Sequence, residues 1–266
     1  LQVEHASDEV PIGSCTVATA QESGWIWDIS LQNRRGIGHV FSSDFTSEAS
    51  AEEALFKYVK NDPFLASQQL TPRKIKFNPG HRETFWHKNC VAIGVSAGFV
   101  EPLEATALVL IEKSAEWISQ QLPRDPIAMA VLAKRFNRLT LDRWQEIIDF
   151  LKLHYILSNR TDTEYWRAHQ QKESIPESLQ EALQLWRTQA PGLYESNQRF
   201  ELFSSASKQY VLYGMGFNTE QNLNTHLSQK EASLIKRIQN ENLHTTEQLL
   251  NALPTNRQFL NKVLQK

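Results

Sequence analysis

The chain has 266 residues, with 28 Lys+Arg against 30 Asp+Glu and a formal net charge of −2, which removes the basic footprint that non-specific binding to nucleic acid or an anionic membrane needs. At 41% hydrophobic, 10% aromatic and 22% charged it is neither disordered nor fibrous, and it is long enough to bury a core as one large domain or two ordinary ones. Its apolar runs fall well short of the roughly 20 residues a membrane helix requires. Glu4, Asp8 and Glu9 sit where a signal peptide would be basic and then apolar, so the chain reads as cytoplasmic. It starts at Leu1 without a Met, as a piece of a longer protein would. Cys15 and Cys90 are far apart, Cys90 lies in an apolar stretch that predicts a buried free thiol, and neither implies an oxidising compartment.

The first hundred residues carry strand signals at Gly24–Ser30, Gly36–Phe41, Lys74–Phe77 and Cys90–Val95: short aromatic or β-branched runs between turn residues. Between them Ser47–Lys60 reads as a helix, with a capping box at Ser50 and Glu53. From Ala105 the period changes. Leu108, Ile111, Ala115 and Ile118 share one side of a helix that stops before Pro123. One or two helices follow over Pro126–Asn159, with a seam near Asn137–Asp142, and another over Pro176–Gln189 ends at Pro191-Gly192. The tail from Ser228 to Lys266 reads as two amphipathic helices broken at Pro254. A β-rich part, residues 1–122, therefore precedes a helical part, residues 123–266.

The segment Cys90–Ala107 predicts a buried strand, a small-residue loop and a helix start, a junction that aims backbone N–H groups beyond the strand end. Ala105, Thr106 and Ala107 could offer those donors to an anion, with Glu104 at the mouth of the pocket; equally, Glu104 could be a carboxylate favouring the helix dipole. Gly94-Val95-Ser96-Ala97-Gly98 matches the nucleophile elbow of serine hydrolases, but Pro102 falls where that helix would need a free N–H. Trp25 and Trp27 point to one face of a strand, where the indoles either fill a core or form a wall against a planar ligand. Arg160 and Asp162 read as a local ion pair at a helix end. No histidine spacing supports a metal site. Gly36-Ile37-Gly38 lacks the third glycine and the helix of a dinucleotide fingerprint.

Gly24-Trp25-Ile26-Trp27-Asp28-Ile29, Arg35–Ser43 and Gly98-Phe99-Val100-Glu101-Pro102-Leu103-Glu104-Ala105-Thr106, in that order and spacing, resemble the flavin-dependent halogenases of the tryptophan halogenase family. His154–Trp166 and Tyr213–Gly216 are similar to later family segments, and the resemblance covers only the second half of such an enzyme. It implies an α+β chain: part of a flavin monooxygenase-like FAD-binding domain with a mixed β-sheet, then a mainly helical C-terminal region. In that family reduced FAD and oxygen activate a bound chloride or bromide, and a hypohalous species reaches an electron-rich aromatic substrate through a tunnel. The resemblance places Glu104 at the active-site carboxylate, Thr106 and Ala107 at the halide site, and Val95, Gly98, Phe99, Pro102 and Leu108 at flavin-contacting positions, with Trp25, Trp27 and Ile29 as its signature motif. It also implies a separate flavin reductase supplying FADH2 and leaves room for a homodimer.

Three residues depart from the family pattern. Ser30 replaces a proline, Ala105 a serine, and Ala107 a glycine beside the halide, where its Cβ crowds the anion. The family's essential lysine and glycine-rich FAD loop belong to the half that precedes this chain, which is therefore expected to be inactive alone. Trp144, Tyr155, Trp166, Trp186, Tyr194, Tyr210 and Tyr213 are numerous enough to line a substrate site. The rival readings are a flavin monooxygenase without halide chemistry, a helical binding module without catalysis, and a serine hydrolase using Ser96.

Overall fold

The structure is a computed structural model that describes residues 1–62, 69–123, 125–193, 201–220 and 228–264. Tyr194 lies outside the described residues. The chain forms two compact units, residues 1–74 with 221–266 and residues 75–220. This differs from the single boundary read at 122/123, because the end of the chain joins the unit of its beginning. The α+β class is the observed one, and the sheet expected to be mixed takes antiparallel pairings alone among the described residues.

In the first unit β1 (Gln2–Glu4), β2 (Val17–Gln21), β3 (Gly24–Ser30) and β4 (Arg34–Phe41) form a sheet in the order β1-β4-β3-β2. Alternation on β3 separates two environments. Ile26 packs with Val3, Ile37 and, from α1 (Glu48–Lys60), Leu55 and Val59. On the same face the buried Asp28 accepts from Arg35 Nε and the Tyr58 hydroxyl, each at 3.1 Å. Trp25 is buried on the other face, while Ile29 is exposed. Trp27 lies opposite Gly38 in the register, and a Cβ at Gly38 would stand 2.3 Å from its indole. Helix α1 is capped one turn earlier than the sequence suggests: Ser47 Oγ accepts from Ser50 N at 3.1 Å.

In the second unit β5 (Gly80–His81) pairs with β8 (Gly98–Phe99), and β6 (Trp86–His87) with β7 (Cys90–Val91). Lys74–Phe77, expected as a strand, has no regular structure. The strand read over Cys90–Val95 lasts two residues, because Gly94 turns the chain at φ 60° into a 3₁₀ turn. Cys90 is therefore exposed, not buried. Helices α2 (Ala107–Gln121), α3 (Pro126–Ile156), α4 (Glu164–His169), α5 (Glu177–Trp186) and α6 (Ser205–Gly214) follow. No seam interrupts α3 near 137–142, since Phe136, Thr140, Arg143, Trp144 and Ile147 carry a buried stripe straight through it. Phe85, Trp86, Phe136, Trp144 and Phe150 lie at the heart of this unit's core.

Returning to the first unit, α7 (Gln229–Ala252) opens with a capping box between Ser228 and Glu231, and α8 (Asn256–Leu264) follows Pro254. Arg257 ties α8 to the strand loops, donating to Val10 O at 2.9 Å and Gln32 O at 2.6 Å. No helix among the described residues is long and apolar enough to cross a membrane.

Candidate active site

Between β8 and α2 the loop Val100–Thr106 makes an abrupt reversal. Just before it, at Gly98 of β8, a Cβ would come within 2.7 Å of Gly80 O and His81, so only glycine permits the close β5–β8 approach. Ala105 N then donates to Pro102 O at 3.1 Å, closing a 3₁₀ turn over Leu103–Ala105. Inside that turn Glu104 has φ 64° and Ala105 φ 51°. Two consecutive non-glycine residues in the left-handed region cost roughly 1–2 kcal/mol each, and such strain survives where surrounding contacts impose it.

Helix α3 supplies those contacts. Its consecutive residues His154 and Tyr155 reach two carboxylates of the loop: His154 Nε2 lies 3.1 Å from Glu104 Oε1, and the Tyr155 hydroxyl donates to Glu101 Oε2 at 2.6 Å. The Glu104 side chain is 37% exposed and that of His154 22% exposed, so the carboxylate lies at a rim, neither sealed in nor free in solvent. Tyr155 is buried, and burial, reinforced by the charge of Glu101, pushes its phenol far above the usual range, so it stays a donor. Behind it the His169 ring stacks at 4.3 Å. Burial, and then neighbouring Lys152, lower His169 to about 4, while burial lowers Lys152 to about 8.

Past the loop, Thr106 is buried and Leu110 N donates to Thr106 O at 3.1 Å, so the helical ladder starts there and not at Ala105. The start of α2 has no side-chain cap and no acidic residue in its first turn. Glu104 therefore is not the N-terminal carboxylate of that helix. Ala107 is exposed, as is Leu108 at 79%.

Val95, Gly98 and Phe99 line one cleft of about 570 Å³, together with Lys76, His81 and Arg82. Pro102 and Leu108 are not among the residues lining that cleft. Ser96 Oγ is occupied locally, donating to Ile93 O at 2.8 Å and accepting from Ile93 N at 3.1 Å, and it sits in a 3₁₀ turn, not a strand-to-helix elbow. The hydrolase reading fails on that geometry. Trp144, Tyr155, Trp166 and Trp186 are buried in packing, whereas Tyr210 and Tyr213 are exposed. Arg160 and Asp162 do form a local ion pair, at 2.6 Å, and the guanidinium lies over Trp166. His154 and Tyr155 escaped sequence reasoning as partners of the loop carboxylates Glu104 and Glu101, because residues 50 and 54 apart carry no spacing signal.

The family model for tryptophan halogenase matches residues 1–230. Tryptophan 7-halogenase KtzQ of Kutzneria sp. (strain 744) is 35% identical over 83% of this chain and 42% of its own length. A solved tryptophan halogenase from Shewanella frigidimarina is 47% identical with TM-score 0.93, covering 99% of this chain and 50% of that one. Tar14, a tryptophan C-6 flavin-dependent halogenase from taromycin biosynthesis, is 32% identical with TM-score 0.85, over 98% of this chain and 50% of its own. The chain belongs to the tryptophan halogenase family. It spans about half the length of these relatives.

Proposed function

We propose that this chain is the C-terminal portion of a flavin-dependent halogenase that uses FADH2, O2 and chloride or bromide to halogenate an electron-rich aromatic such as tryptophan or an indole. The observation that carries the proposal is Glu104 itself: a carboxylate on strained backbone, pinned by His154 and followed at once by an uncapped helix start. The residues present fit the halide, because the amides that open α2 carry no capping side chain and the first turn of the helix holds no acidic residue to compete with an anion. They fit the flavin too: Val95, Gly98 and Phe99 share their cleft with Lys76, His81 and Arg82, which suits an anionic planar cofactor. Reduced FAD with O2 supplies the oxidising equivalent that turns the halide into an electrophile.

In this reading Thr106 and Ala107 hold the halide and Glu104 positions the electrophile and takes the proton the ring loses. Pro102 and Leu108 complete the flavin contacts, and Trp25, Trp27 and Ile29 mark the family. The proposal extends to a separate flavin reductase, a homodimer and a cytoplasmic setting. In the full-length enzyme Glu104→Gln should lower halogenation of L-tryptophan by about 100-fold or more while FAD binding survives; parental activity would refute the role of Glu104. Product mass should follow the halide when chloride is exchanged for bromide. A hydroxylated, halide-independent product would favour the monooxygenase reading instead.

A further inference from the structure

His154 is fixed from both sides. Its Nδ1 lies 2.8 Å from Phe150 O, and since a carbonyl oxygen only accepts, Nδ1 carries hydrogen there. The Phe150 ring meets the imidazole edge-on at 5.0 Å and is itself stacked on Phe203 at 3.9 Å, so the plane of His154 is held by buried packing. With Nδ1 committed, Nε2 would face Glu104 Oε1 lone pair to lone pair unless a proton lies between them at 3.1 Å. That contact therefore engages one specific oxygen of Glu104 and leaves Oε2 unused by His154.

Glu104 needs such a partner, because its φ of 64° breaks the 3₁₀ turn it stands in, so no regular helix or strand sets its side-chain direction. We infer that His154 is a positioning residue for the halogenation reaction, holding Glu104 Oε1 through Nε2 so that Oε2 faces the ring carbon being substituted. The inference rests on the proposed role of Glu104. In the step concerned, the halogenated ring cation gives its proton to Oε2, the C–H bonding pair returns to the aromatic ring, and His154 stays bonded to Oε1 with no change of oxidation state.

The test is a double-mutant cycle in the full-length enzyme with L-tryptophan as probe substrate. His154→Leu should lower kcat by about 10- to 100-fold, with KM for tryptophan and FAD affinity within about twofold of the parent. His154→Gln, whose amide can still donate to Oε1, should recover most of that loss. In a Glu104→Gln background His154→Leu should cost nothing further, because its effect runs through the carboxylate. Should the leucine variant fail to fold, His154→Asn, whose amide falls short of the carboxylate, takes its place in the cycle. Parental kcat in the leucine variant, equal losses for leucine and glutamine, or undiminished loss in the Glu104→Gln background would each overturn the inference. A fully active Glu104→Gln single variant would instead defeat the reading of Glu104, so the two failures are told apart.

Discussion

The side chain of Asn137 reads the backbone of Trp86 on both sides: Oδ1 accepts from Trp86 N at 2.7 Å and Nδ2 donates to Trp86 O at 2.9 Å. The same oxygen accepts from Phe85 N at 2.8 Å. One polar residue in the middle of α3 thereby satisfies three backbone groups of β6 and the residue before it, and joins a two-stranded hairpin to the helical core. Asn137→Leu should leave those groups partly unsatisfied and cost about 2–4 kcal/mol, read as a fall in the urea midpoint of the full-length protein.

In the sheet of the first unit the indole of Trp27 covers Gly38, leaving no room for a methyl group. Gly38→Ala should push the indole aside and destabilise by about 1–3 kcal/mol, with a shift in tryptophan emission accompanying the lower melting point. Unchanged emission and stability would contradict the packing described.

Ala105 carries its strain without the excuse of being glycine. Ala105→Gly should stabilise by up to about 1 kcal/mol, and Ala105→Val should cost about 1–2 kcal/mol, because a β-branched residue tolerates the left-handed region worst. Chemical denaturation of the two variants beside the parent gives the sign directly.

His169 and Lys152 set a pH dependence. The folded state holds His169 at about 4 against an ordinary 6.5, so between those values the unfolded chain binds more protons and stability falls as pH falls. The contribution is complete above about pH 6.5 and lost below about 4; allowing for partial exposure it amounts to about 1–2 kcal/mol. Lys152, at about 8 against 10.5, gives a second rise in stability between those two pH values. His169→Gln should flatten the acid limb of a stability-against-pH curve and leave the alkaline limb in place.

Local order was legible wherever it is written in nearest neighbours. Gly24–Ser30 was read with the bounds it has as β3, and the break at Pro254 separates α7 from α8 as expected. Both rest on short-range rules, alternation and the missing N–H of proline. The misreadings fall where a longer interaction overrides local preference. Lys74–Phe77 has the composition of a strand but takes no strand structure, and Cys90, in an apolar stretch, lies on a two-residue strand that ends at Val91, before the turn at Gly94. The seam anticipated at 137–142 vanishes because Asn137 is anchored to the β6 hairpin and Thr140 and Trp144 are buried.

The same division runs through the candidate site. The order of residues from Gly98 to Thr106 determines, by itself, a small-residue loop and a helix start with Glu104 before it, because glycine, proline and small residues act through sterics over a few bonds. The pairing of Gly98 with His81 is, by contrast, a tertiary contact. Which oxygen of Glu104 is held, and by what, was decided only when α3 brought His154 and Tyr155 against a loop some 50 residues away. A hydrogen bond depends on distances of a few ångströms in space, and separation along the chain carries no such information until the core has packed.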